Sequence, residues 1–232
     1  MPELSINSKF CMRLLFVFTM YIVCNLSIFA QVTDVKKGDI LTINGIKGIV
    51  FSVDDSGCHG TMMSIKAFRG MKNLFCSKTS LLKDLSMAST TDGKANTEEL
   101  FSYVSSRNIN LNEFPVFNWC KSLGDGWYIP SVEQVKIFVN YWLGNDDLEV
   151  DWGDEDSDQS DDSSIPHTKR VNDSMMNAGG IPFLNGVFSS TISKNKKISV
   201  FEYNKIDGSW SFSDVSPNKI DKYSVGRAFY DF

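Results

Sequence analysis

Between Asp146 and Asp162 the chain reads DDLEVDWGDEDSDQSDD, ten acids in seventeen residues with no base. Asp154, Asp156 and Asp158 alternate there, as the oxygen ligands of a calcium loop do. The helix–loop–helix calcium pattern then needs Gly at its sixth position and Glu at its twelfth, where this run has Gln159 and Ile165. Charge blocks of this kind are as a rule solvated. The segment therefore reads first as an acidic loop insertion spanning about 144–180, and second as a low-specificity calcium site on Asp154, Asp156 and Asp158. Trp152, inside the same run, is a candidate for stacking on a ligand face.

Nucleophilic chemistry finds less support. Cys58 and His59 are neighbours in GCHG, but adjacent residues of an extended chain point to opposite faces, and nothing nearby would orient the imidazole as a base. Ser189-Ser190 lacks the G-x-S-x-G context of an activated serine and reads as strand. No catalytic residue is assigned, and the expectation is a protein that is not an enzyme. The turn SKNKK places Lys194, Lys196 and Lys197 where they could meet an anionic ligand, although lysines at such turns also guard strand edges against pairing. Nucleic acid is not an expected partner, because no large basic patch accompanies them.

The residues that must position these groups begin after an N-terminal segment of another kind. Lys9 and Arg13 precede the apolar run Leu14–Ala30, and Gln31 opens a polar stretch. That order describes a signal peptide over 1–30, leaving 31–232 as a single domain with no stable membrane span. Three cysteines remain, Cys58, Cys76 and Cys120. An odd count leaves at least one unpaired. Cys58–Cys76 is the most local disulfide, and Cys120 falls in a predicted helix as a buried thiol.

Runs of β-branched and aromatic residues predict an N-terminal hairpin. ILTI and IVFSV flank Asn44-Gly45, a strong two-residue turn signal, and TMMSI follows as a third strand. Asn96 with Glu99 offers a capped helix over TEELFSYVSSR. Pro115 opens a second helix, VFNWCKSL, ended near Gly124. In GDGWYIPSVEQV, the glycines permit a turn, Trp127 is an apolar anchor, and Pro130 excludes a central strand. Ser131 with Gln134 then forms a capping box for a third helix, striped by Val132, Val135, Val139 and Trp142. GVFSSTI, ISVFEY, GSWSFSDV and YSVGRAFYDF complete the chain as strands. Meander, helices, loop and strands in that order predict an α+β fold with an N-terminal β-hairpin, two to three helices and C-terminal antiparallel strands.

The order of KGIVFSVDDSGCHGTMMSI, WCKSLGDGWYIPSVEQV, FLNGVFSSTI and YSVGRAF resembles bacterial C-type-lectin-like domains. The nearest resemblance is to the C-terminal domain of Lcl-type collagen-like adhesins. The family pattern Gly-Trp-Arg-Leu-Pro-Thr then Glu-Leu stands here as Gly126, Trp127, Tyr128, Ile129, Pro130, Ser131, then Gln134 and Val135. A closing Val-Arg-Ala-Val stands as Val225, Gly226, Arg227, Ala228, Phe229. Tyr128 replaces the family's arginine, and Gln134 its glutamate. The resemblance implies a C-type-lectin-like fold in which Trp127, Pro130, Ser131, Gln134 and Arg227 are architectural. It also implies a secreted, periplasmic or surface-exposed protein of a Gram-negative bacterium, a binding module for a glycan or for an envelope or host surface protein. An assembly component of an envelope complex is the alternative. The sulfatase-modifying enzymes of this broad fold need paired cysteines near the C-terminus, and no cysteine follows Cys120. The calcium-dependent lectins' Glu-Pro-Asn or Gln-Pro-Asp loop is also missing from the sequence.

Overall fold

The computed structural model describes residues 34–69, 75–145, 166–183, 186–203, 210–217 and 225–232. It is an α+β fold with four α-helices and two antiparallel sheets among these residues. The expected 1–30 signal segment lies outside them, as do Trp152, Asp154, Asp156 and Asp158.

The N-terminal meander forms as its sequence predicts. β1 (Ile40–Ile43) pairs with β2 (Ile46–Val53) through a turn in which Asn44 and Gly45 both have positive φ, and β2 pairs with β3 (Gly60–Ser64). The sheet is completed from far along the chain. β8 (Phe229–Asp231) pairs with β3 on one side and with the two-residue β4 (Trp127–Tyr128) on the other, giving the order β1-β2-β3-β8-β4. β4 is thus an edge strand, as Pro130 requires. The second sheet is a meander of β5 (Val187–Ile192), β6 (Ile198–Tyr203) and β7 (Trp210–Val215).

Both sheets are covered on two faces. Val50, Met62, Phe188 and Val200 belong to a core with Phe75, Phe114 and Phe117. Their strand neighbours Ile49, Phe51, Met63, Val187 and Phe201 face a second core built on Phe138, Trp142, Phe183 and Phe229. A strand buried on both faces needs consecutive apolar residues rather than alternation, which is why IVF, MM and VF occur as runs. Trp127, Tyr128 and Ile129 are all buried for the same reason, where alternation predicts that only every second one would be.

The helices include two corrections. α1 spans Gly93–Ser106 and is capped by Asp92, whose side chain accepts from Ala95 N–H at 2.8 Å. Asn96 is not the cap. It is buried in the first turn, where its side chain bonds both backbone groups of Ser89 and the Ser190 hydroxyl. Glu99 turns away to accept from the amides of Ser86 and Met87. α2 (Pro115–Ser122) starts at its proline, and α3 (Val132–Leu143) carries the full Ser131–Gln134 capping box.

The region 144–180 is not one loop, because α4 (His167–Asn177) occupies its second half and raises the helix count to four. The acids stop at Asp162 apart from Asp173. Beyond them Val171 and Met175, one turn apart, bury an apolar stripe in the second core. Asn172 clasps the backbone of Phe183, donating to its carbonyl at 2.9 Å and accepting from its amide at 2.8 Å. No described helix is long and apolar enough to cross a membrane.

Arg227 ties these layers together. Its guanidinium is 1 % exposed and donates to the carbonyls of Ser64, Ile65 and Lys66 at the end of β3, at 3.3–3.4 Å. It also donates to Ile181 and Pro182 beyond α4, at 2.9 and 3.0 Å. Burial, with the charge of Arg69, pulls its pKa down to about 9, which leaves it cationic at neutral pH.

Candidate functional site

A groove of about 330 Å³ lies where α1 passes the end of α2 and the Gly124–Asp125–Gly126 turn. Lys94, Thr97, Glu98 and Phe101 follow the i, i+3, i+4, i+7 spacing of one helical face and form one wall. Lys121 and Asp125 stand opposite, and Trp127 and Tyr128 line the base. Gly126 shapes the turn, with φ of 87°. A Cβ there would also come within 2.6 Å of the Tyr230 ring, so both conformation and space require glycine.

The wall is fixed by polar contacts at the N-terminus of α1. A Cβ on Gly93 would sit 2.4 Å from Ser131 N, so only glycine allows α1 to abut the start of α3. Gln134 uses that proximity. Its Oε1 accepts from Gly93 N–H at 2.9 Å and Ser131 N–H at 3.0 Å, and its Nε2 donates to Tyr128 Oη at 3.0 Å. Tyr128 in turn donates to Asp231 at 2.7 Å. Burial first, and then the Asp231 carboxylate, push the Tyr128 phenol far above its ordinary range, so it acts as a donor. Thr97 adds a second tie, accepting from Ile129 N–H at 3.0 Å and donating to Gly93 O at 2.8 Å.

The rim is chemically unspent. Lys94, Glu98 and Asp125 are exposed, and their side chains make no hydrogen bond or ion pair among the described residues. Lys121 places its Nζ 5.3 Å from the Phe101 ring centroid. At the base, Trp127 is 4 % exposed and its Nε1 finds no acceptor among the described residues. A donor buried without a partner is uncommon in a native fold.

The lysine and cysteine candidates of the sequence fall outside this groove. Lys194 and Lys197 are exposed on the β5–β6 turn. Lys196 is occupied, with φ of 55° and its Nζ donating to Leu85 O at 2.8 Å. The Cys58–Cys76 disulfide does not form, and both carry free thiols. Cys58 is half-buried in the β2–β3 turn, its Sγ donating to Ser56 O, whereas Cys76 is sealed in the first core, where burial pushes its thiol up to about 12. Cys120 is buried in α2 as expected. His59 is exposed in its turn. No group of three or more His, Cys, Asp or Glu among the described residues is placed to hold a metal.

The sequence reading missed Lys94, Glu98, Phe101, Lys121 and Asp125. The signal available was the i, i+4, i+7 spacing of the first three, which a helix begun at Asn96 leaves partly outside the element.

No protein-family model, curated protein or solved structure matches this chain.

Proposed function

We propose that this chain is a secreted or cell-surface binding module of the C-type-lectin-like type, recognising a glycan or protein ligand without catalysis. The order of the GDGWYIPSVEQV, FLNGVFSSTI and YSVGRAF motifs supports the fold reading, together with the architectural parts that Trp127, Pro130, Ser131, Gln134 and Arg227 take in an α+β frame. The observation that carries the functional reading is the groove between α1 and the Gly124–Gly126 turn. Its rim charges Lys94, Glu98 and Asp125 have no side-chain partner among the described residues, and Phe101, Trp127 and Tyr128 give it an aromatic lining. Charges held beside an apolar floor on a rigid frame suit non-covalent recognition.

The test is binding of the purified protein to a mixed glycan array, with calcium and again with chelator, alongside a Glu98→Gln variant. Saturable binding weakened by Glu98→Gln and indifferent to chelator is expected. Binding abolished by chelator would move the site to Asp154, Asp156 and Asp158. Absence of glycan binding, with recovery of envelope proteins on purification from the source cell, would replace this reading with that of an assembly component.

A further inference from the structure

We infer that the groove takes an uncharged, hydroxyl-rich sugar; this rests on the groove being the binding site proposed above. The rim carries two ammonium groups, Lys94 and Lys121, and two carboxylates, Glu98 and Asp125, and these charges cancel. A polyanion that gains from the lysines must approach the carboxylates, and a polycation meets the converse problem. Like-charge juxtaposition of that kind rejects a partner.

A sugar hydroxyl escapes the conflict, because each one both donates and accepts. Neighbouring hydroxyls can give protons to Glu98 or Asp125 while accepting from Lys94 or Lys121. Lys94 and Glu98 stand one turn apart with the lysine N-terminal, the weaker order for an ion pair, and their side chains form no ion pair with each other. Both heads are therefore available to a ligand.

The apolar part of the groove fits the same class. Phe101 offers a ring against which the C–H face of a pyranose can pack. The Lys121 ammonium now over that ring is held only weakly at an exposed site and can give way to a ligand. The volume, about 330 Å³, is at the small end for ligand sites and matches one or two sugar rings. A Cβ built on Gly124 meets nothing within 4 Å among the described residues, so that end of the groove leaves room for a longer chain.

The test titrates the whole protein with neutral trisaccharides (chitotriose, cellotriose and maltotriose) and with a heparin tetrasaccharide, by calorimetry and saturation-transfer NMR. Each is run at about 0.1 M and 1 M salt, where the Debye length falls from about 10 to 3 Å. Glu98→Gln, Phe101→Ala and a Lys194→Ala/Lys197→Ala control are compared. Glu98 is exposed, so its variant keeps the test interpretable if Phe101→Ala, which also trims packing, fails to fold. The expected result is binding of at least one neutral trisaccharide, changed less than about twofold by salt, weakened about tenfold by Glu98→Gln, and untouched by the lysine control. Tighter, salt-sensitive binding of the heparin fragment that still responds to Glu98→Gln would overturn the neutral-sugar inference and leave the groove reading standing. Sugar binding that responds only to the lysine control would overturn both. If no sugar binds, the inference falls, and a protein ligand weakened by Glu98→Gln would separate that failure from failure of the groove.

Discussion

Trp127 is the residue on which the groove and the core both depend. It lies in β4, belongs to the first core and packs on Tyr230 with ring centroids 5.3 Å apart. Truncation of a buried tryptophan leaves a large cavity, so Trp127→Ala is expected to destabilise the fold by about 3–5 kcal/mol; an unchanged urea midpoint would place the ring outside the core. The cysteines make a second prediction at this scale. Cys76 and Cys120 are fully buried, and burial raises both thiols, whereas Cys58 is half-buried in a turn. A thiolate is the reactive form. Of these three, Cys58 alone should therefore be labelled by iodoacetamide in the native protein, as read by peptide mapping, and all three after unfolding. Failure to label Cys58 until a reductant is added would restore the disulfide.

At the scale of elements, the capping box of α3 does more than end a helix. Ser131→Ala removes one acceptor at the helix start and should cost about 1 kcal/mol. Gln134→Ala removes the same box and also frees Gly93 N–H and Tyr128 Oη, which are otherwise held from another helix and from the sheet edge. Thermal or urea unfolding should show Gln134→Ala as the more damaging change by about 1–3 kcal/mol; equal effects would mean the links to α1 and β4 contribute nothing. The box itself was legible in the sequence because it is a local rule with both partners three residues apart. So were the Asn44-Gly45 hairpin, the Pro115 start and the four C-terminal strands. The start of α1 was not, since Asn96 satisfies the same local rule as Asp92. What decides between them is the fit of Gly93 against Ser131, a contact between segments far apart in the chain. α4 was hidden for a related reason. Its buried stripe is only Val171 and Met175, and its anchor, Asn172, works through Phe183. The groove inherits both difficulties, for its walls meet only through tertiary packing.

For the whole molecule the critical point is Arg227, one cation among five backbone carbonyls drawn from two distant segments. A fork of donors can serve both sides at once, and an ammonium cannot. Arg227→Lys offers three donors to five carbonyls and should therefore cost about 1–3 kcal/mol for the buried acceptors left unpaired. The readout is the denaturation midpoint, and a variant as stable as the parent would show that the carbonyl cage is incidental. The resemblance of YSVGRAF to a family motif gave Arg227 an architectural part, but its carbonyl partners emerge only when β3 and the segment after α4 are brought together.

β8 is inserted between β3 and β4, and this has a bearing on how the chain reaches its native state. Strands drawn from residues 60–64 and 127–128 share no hydrogen bonds with each other; each waits for Phe229–Asp231. A polypeptide delivered N-terminus first, from a ribosome or through a translocation channel, therefore emerges with an unfinished sheet edge on β3 and an unpaired β4. Closure of the sheet, packing of Trp127 on Tyr230 and the Tyr128–Asp231 bond all require Phe229–Asp231, so none of them can form before that strand has been delivered.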